Sequence, residues 1–200
     1  MPPAIIPQDI TCDSPVSKKY RDGINNALKH ILADLKKLTK AEEMFVNCRL
    51  NRSDQKTGPA PICVGWVESD ALKKKRKSLG LADPAIMRLG DDHLSPVYAE
   101  CICDPRMAVN ARDYSKRETA VAEKVVGSRG YDVALGQVYR RYACIKAGGR
   151  RAGTLTVGSR SRPANNRQLE DALKEWAQNP KMEFVRCLER NFELGGPAVE

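Results

Sequence analysis

Several things are missing from the sequence, and each absence removes a class of function. No run of about 18 apolar residues occurs, so no membrane-spanning helix is expected. The first fifteen residues, MPPAIIPQDITCDSP, have neither a charged start nor a long apolar core, so no signal peptide is expected. There is no G-x-x-x-x-G-K-[ST] stretch, which excludes a P-loop nucleotide enzyme. No Cys-x-x-Cys pair is present, and Cys101-x-Cys103 on one strand would splay too far for a zinc knuckle, so no metal is expected. Histidine is confined to His30 and His93. His30 falls within an expected helix without an acidic partner, which leaves triads and general-base catalysis poorly supported. The seven cysteines are odd in number and lack paired spacing, as expected for reduced thiols in a cytoplasmic protein.

What is present suits a globular domain. Hydrophobic residues make up 42% and charged residues 30% of 200, ordinary values for a chain long enough to bury its own core without staples. One domain over residues 15–194 is expected, after an extended lead-in at 1–14 and before a short tail at 195–200. The net charge of +9 raises attraction to polyanions without specifying one. It is concentrated in Lys73-Lys74-Lys75-Arg76-Lys77, read as a solvated helix face, and in seven basic residues between Arg140 and Arg162 with no acidic residue among them.

In chain order, Asp13-Ser14-Pro15 caps a long helix reaching about Leu38. Its apolar positions Ile24, Leu28, Ile31, Leu35 and Leu38 alternate spacings of four and three, a seam for the domain's own sheet or for a second copy of the chain. Residues 44–50 alternate as a strand and 62–68 as its antiparallel neighbour, with Val64 and Trp66 expected on one face and Cys63 and Val67 on the other. Two short helices are expected over 69–92, a strand over 96–103, a loop over 104–113, and a helix opened by the capping-box pair Ser115 and Glu118. After the last hairpin, Asn165 or Asn166 caps a helix carrying Leu169, Ala172, Leu173 and Trp176. Asn179-Pro180 breaks it, and a second helix turns Met182, Val185, Leu188 and Phe192 inward.

The best alternation lies at residues 137–158, two strands joined at Gly148-Gly149, where adjacent glycines accept positive φ at both turn positions. Pairing Ala147 with Arg150 and counting outward puts Tyr142 opposite Leu155 and Arg141 opposite Thr156. On that register Tyr142, Cys144, Leu155 and Val157 form an apolar face for a helix layer. Tyr139, Arg141, Ala143, Ile145, Thr154 and Thr156 form a mixed face for a ligand or partner. A slip of one residue would exchange the faces.

The stretch GRRAGTLTVGSRSRPANNRQLEDALKEWA resembles the closing segment of GAF domains, through Gly149, Gly153, Leu155, Val157, Pro163, Leu169, Leu173 and Ala177. Cys144-Ile145 departs from the Val-Pro pair usual there. The resemblance implies an α+β fold, GAF-like, with a central antiparallel sheet and the N- and C-terminal helices packed on one face. It also implies a cavity on the other face that holds a small ligand or nothing. Joined to the derived register, it assigns Tyr139, Arg141, Thr154 and Thr156 to ligand binding, and Cys101 and Cys103 are counted with them. Arg141 would pair with an anionic group, as a planar guanidinium binds carboxylate or phosphate in bidentate fashion. The expected function is a small-molecule-sensing or regulatory module, without cofactor, dimerising through its long helix. The alternative is a basic nucleic-acid-associated protein using Arg140, Arg141, Lys146, Arg150, Arg151, Arg160 and Arg162 with Tyr139 and Tyr142. A third reading, thiol redox chemistry, has a precedent in GAF-fold proteins that reduce free methionine sulfoxide. Catalysis is the less favoured expectation.

Overall fold

The computed structural model describes residues 18–38, 40–49, 61–81, 109–113, 135–137, 139–161, 165–196 and 198–199. Helix α1, Lys18–Leu38, buries the seam expected of it: Ile24, Leu28, Ile31 and Leu35 all enter the main core. The side chain of Leu38 lies outside the described residues. Of the two partners expected for that seam, the chain's own core is the one it meets. The approach is close. A Cβ on Gly65 would stand 2.3 Å from Ile24 Cγ2, so only glycine lets the helix lie this near the strand.

The strands are β1 (Glu43–Arg49), β2 (Pro61–Glu68), β3 (Val109–Asp113), β4 (Tyr139–Ala147) and β5 (Arg150–Ser159). They form an antiparallel sheet in the order β2-β1-β5-β4-β3. Helix α2, Asp70–Ser78, follows β2, and Ser69 caps it by accepting the Leu72 N–H at 3.2 Å. Helix α3, Asn166–Gln178, is capped by Asn165, whose Oδ1 accepts the Gln168 N–H at 3.0 Å. Helix α4, Glu183–Asn191, completes the described elements. The expected strand at 96–103 and the capping-box helix after Ser115 lie outside the described residues. Residues 109–113, read as part of a loop, instead form β3 against β4, with Ala111 opposite Arg141. The sequence VNARD alternates only Val109 and Ala111 with Asn110 and Arg112, too short a pattern to mark a strand, and its strand state comes from the ladder that β4 offers rather than from its own propensity.

The hairpin turn is as expected: Gly148 and Gly149 have φ of 57° and 68°. The register above it is not. Ala147 pairs with Arg150 and Lys146 with Arg151, but Ile145 then pairs with Gly153 because Ala152 is the extra residue of a β-bulge. Every residue of β4 beyond the bulge is thereby shifted by one against β5, with Ala143 opposite Leu155 and Arg141 opposite Val157. A one-residue shift exchanges faces. Tyr139, Ala143 and Ile145 therefore join Leu155 and Val157 in the helix-covered core, while Cys144 pairs with Thr154 on the opposite face. A second bulge does the same to the first hairpin. Val46 pairs with Gly65 and Asn47 with Cys63, so Val64 is extra, and Val64 and Val67 both enter the core. Trp66 then shares the opposite face with Cys63, reversing its expected pairing with Val64.

Over the core face, α3 contributes Leu169, Leu173 and Ala177, and α4 contributes Phe184, Val185, Cys187 and Leu188. Met182, Trp176 and Phe192 are packed at its margin. The C-terminal residues close on the hairpin, with Ala198 bridging Arg150 and the Val199 N–H donating to Gly149 O at 2.9 Å.

One ion pair ties the chain before β1 to the chain after β5. Arg160 Nε donates to Glu42 Oε2 at 2.7 Å, and its backbone N–H donates to the same oxygen at 3.2 Å. These bonds hold the Glu42 carboxyl below the usual carboxylate range, the Arg160 side-chain bond being the largest cause, and hold the Arg160 guanidinium above its usual value. A carboxyl with a lowered folded pKa stabilises the fold above its unfolded pKa and loses that contribution as pH falls through the folded value. Glu42→Gln is therefore expected to lower stability at pH 7 by about 1 kcal/mol, a figure reduced for solvent screening of a partly exposed pair. It should also remove part of the stability loss below about pH 4.5, the ordinary glutamate range. Urea denaturation at pH 7 and pH 3.5 checks both halves. An equal cost at the two pH values would assign the effect to packing.

Candidate functional site

The sheet's second face is laid out by three transverse rows. Trp66, Phe45 and Thr156 are register neighbours in the middle row, and the row continues along the backbone to Tyr142 and Asn110. Cys63, Asn47, Thr154 and Cys144 form the row on one side, and Glu68, Glu43 and Gly158 the row on the other. Adjacent strands lie about 4.8 Å apart. The face therefore offers an aromatic ring in its middle, hydroxyl, amide and thiol groups at one end, and carboxylates at the other.

The central residue is Thr156. It is 0% exposed, and its Oγ1 makes no hydrogen bond among the described residues. A buried hydroxyl without a partner costs free energy, and few native groups are left in that state. Thr154 beside it is also buried. Glu43 is buried at 1% exposure, and it leans over Gly158, whose Cβ would stand 2.4 Å from Glu43 Oε1. Glycine at 158 thus makes room for a carboxylate on this face.

Helix α2 adjoins the face at the β2 edge. Arg76 is buried, holds Glu68 at 3.0 and 3.3 Å, donates to Leu81 O at 3.3 Å, and stands 5.0 Å over the Trp66 ring. Lys75 Nζ donates to Leu135 O at 2.7 Å. The basic run at 73–77 therefore divides. Arg76 and Lys75 are turned inward as structural groups, and only Lys73, Lys74 and Lys77 form the solvated face expected of the whole run.

Of the site residues expected from sequence, Thr154 and Thr156 lie together on the second face, and Tyr139 and Arg141 lie on the opposite one. Arg141 is buried under α3, where it pairs with Glu170 at 2.5 Å, and its Nε donates to Tyr139 Oη at 2.7 Å. The guanidinium reserved for a ligand anion is thus neutralised by the chain itself. Cys101 and Cys103 lie outside the described residues. The expected basic stripe is also divided: Arg141 pairs with Glu170, Arg160 with Glu42, and Arg150 donates to Gly196 O at 3.0 Å.

Phe45, Asn47, Glu43, Trp66 and Cys63 are absent from the site expected from sequence. The alternation of residues 43–49 places Phe45 and Asn47 on one side of their strand, but which strand lies beside β1 is not legible from that alternation. Cys144 reaches this face with its thiol buried, and burial pushes the thiol up to about 11 against the pull of Arg151 and Lys146. A thiol so placed stays protonated near neutral pH, the wrong state for thiolate chemistry. Among the described residues no group of three or more His, Cys, Asp or Glu side chains could hold a metal ion. No described helix is long and apolar enough to cross a membrane.

No family model and no curated protein matches the sequence. The fold is matched by solved structures. A GAF domain region from Geobacter sulfurreducens PCA superposes with a TM-score of 0.53 at 11% identity, over 86% of this chain and 97% of that one. The GAF domain of a two-component sensor histidine kinase from Bacillus halodurans gives 0.52 at 10% identity, over 82% and 95%. A type II free methionine-R-sulfoxide reductase from Thermoplasma acidophilum gives 0.50 at 10% identity, over 86% and 96%. The chain has an α+β, GAF-like fold, with a central antiparallel sheet and α1, α3 and α4 on one face.

Proposed function

We propose that the chain is a sensory or regulatory module that binds a small molecule on the second face of its sheet, over Phe45 and between Thr156, Thr154 and Asn47. The observation that supports this best is the Thr156 hydroxyl, fully buried on that face with its hydrogen-bonding capacity unused. A ligand oxygen or nitrogen at Thr156 would supply the missing partner, and the Phe45 ring would take an apolar or planar body. The sensor kinase domain among the solved structures is consistent with a regulatory role. The free thiols Cys48, Cys144 and Cys187 support action in a reducing compartment such as the cytoplasm.

Thr156→Val tests this with two readouts of opposite sign. It keeps the side-chain shape and removes the unpaired hydroxyl, so the ligand-free protein is expected to gain about 1 kcal/mol of stability. The same substitution is expected to weaken ligand binding about tenfold, measured as the loss of ligand-induced thermal stabilisation across a metabolite panel. A destabilised ligand-free variant would mean that the hydroxyl already has a partner, and the reading would lose its support.

A further inference from the structure

We propose that the groove between α1 and α2, along the outer edge of β2, is a second binding site, taking a small organic anion with two or more negative charges. The groove encloses about 630 Å³, a volume in the range of small-molecule sites. One wall is the polar flank of α1, where Arg21, Asn25, Lys29 and Lys36 succeed one another beside the buried stripe, and Lys73 of α2 stands on the other wall. Arg76 and Glu68 neutralise each other, which leaves Arg21, Lys29, Lys36 and Lys73 with Asp22 and Asp70 among the lining residues, while Lys36 also feels the Glu42 carboxylate. Clustered cations between walls of lower dielectric attract and hold anions.

Charge alone would describe a solvated surface. Two unused donors make it a site. Trp66 lines the groove more than nine-tenths buried, and its indole Nε1 has no hydrogen-bond partner among the described residues. Arg21 Nε, which is also buried, has none either. Both are donors only, so each lacks an acceptor, and carboxylate or phosphate oxygens are the acceptors that guanidinium groups hold best. The edge of β2 does not accept a peptide strand at this point, because Asn25 Oδ1 already takes the Trp66 backbone N–H at 2.7 Å. That favours a compact ligand reached by side chains over strand addition. Trp66 and Glu68 belong by register to the same sheet face as Thr156, but the site proposed over Phe45, Thr156, Thr154 and Asn47 uses neither, so the two stand or fall separately.

Trp66 reports on the groove directly, since the chain has only two tryptophans and Trp176→Phe leaves Trp66 alone. Inorganic pyrophosphate and citrate are titrated into the full chain at low ionic strength while Trp66 emission is followed. Calorimetric titration of the unsubstituted chain reads the same binding should Trp176→Phe fail to fold. A saturable response is expected, with affinity falling at least tenfold in Lys29→Gln with Lys73→Gln. It should be unchanged within twofold in Lys74→Gln with Lys77→Gln, which removes exposed charge outside the groove, and in Thr156→Val. The two anions separate phosphate from carboxylate recognition, and binding of either supports the site. No saturable response to either anion, or an equal loss in the Lys74 and Lys77 variant, overturns it.

Discussion

Gly153→Ala is expected to destabilise the fold by about 3 kcal/mol or more, at or beyond the upper end of the usual cost of overpacking. Gly153 lies on central strand β5 next to the bulged Ala152, paired with Cys48 of β1 and Ile145 of β4. A Cβ there would stand 2.0 Å from Asn47 O and 2.9 Å from Cys48 Cα. These are backbone atoms of the neighbouring strand, so no side-chain rotation relieves the clash, and β1 would have to separate from β5. A Cβ on Gly149, by contrast, would meet nothing within 4 Å, and that residue is constrained only by its φ of 68°. Gly149→Asn should therefore cost far less, since asparagine tolerates the left-handed region. Urea denaturation of the two variants checks the contrast. A mild Gly153→Ala would mean that β1 and β5 do not meet in this register.

Arg141→Met is expected to cost about 3 kcal/mol while leaving ligand binding intact. Removing one member of a buried ion pair strands the other, and the penalty is large because the remaining charge has lost its compensation. Here the stranded group is Glu170, with 32% side-chain exposure against 9% for Arg141. Water access to the glutamate puts the cost at the low end of the range for buried pairs. Tyr139 Oη loses the Arg141 Nε donor at the same time. Arg141→Met with Glu170→Leu removes both charges and should recover much of the loss, as hydrophobic replacement of a buried pair often does. A ligand-binding arginine would behave otherwise, with little effect on the ligand-free fold and a large one on affinity.

The legible parts of this fold are those written in local chemistry. The buried stripe of α1 follows from its four-and-three spacing, the turn from Gly148-Gly149, and the α3 cap from the Asn165-Asn166 pair, of which Asn165 is the one used. The C-terminal helices follow from their periodicity and the Asn179-Pro180 break, although Phe184, wholly buried, is not among the residues expected to face inward. Leu155 and Val157 are correctly expected toward the helices, and Thr154 and Thr156 away from them.

The face assignments fail at two single residues. Ala152 and Val64 are each an extra residue in a strand. Neither is a glycine, and both side chains enter the core, so nothing in the composition marks them as bulges. Because side chains alternate with period two, one unmarked residue is enough to exchange the faces of β4 and to move Arg141 from the expected cavity into the ion pair with Glu170. The candidate site suffers more than the fold for the same reason. Fold class depends on which elements exist, whereas a site on a sheet depends on the register of every strand that crosses it. β3 illustrates a third limit, since its pairing with β4 is supplied by a partner distant in sequence.

The central claim is that the working face of the sheet is the one with Thr156, not the one with Arg141. Native mass spectrometry of gently purified protein tests it most directly, comparing the unsubstituted chain with Thr156→Phe and Arg141→Met. A small molecule retained by the unsubstituted chain and by Arg141→Met, but lost from Thr156→Phe, is the expected result. Retention by Thr156→Phe together with loss from folded Arg141→Met would contradict it.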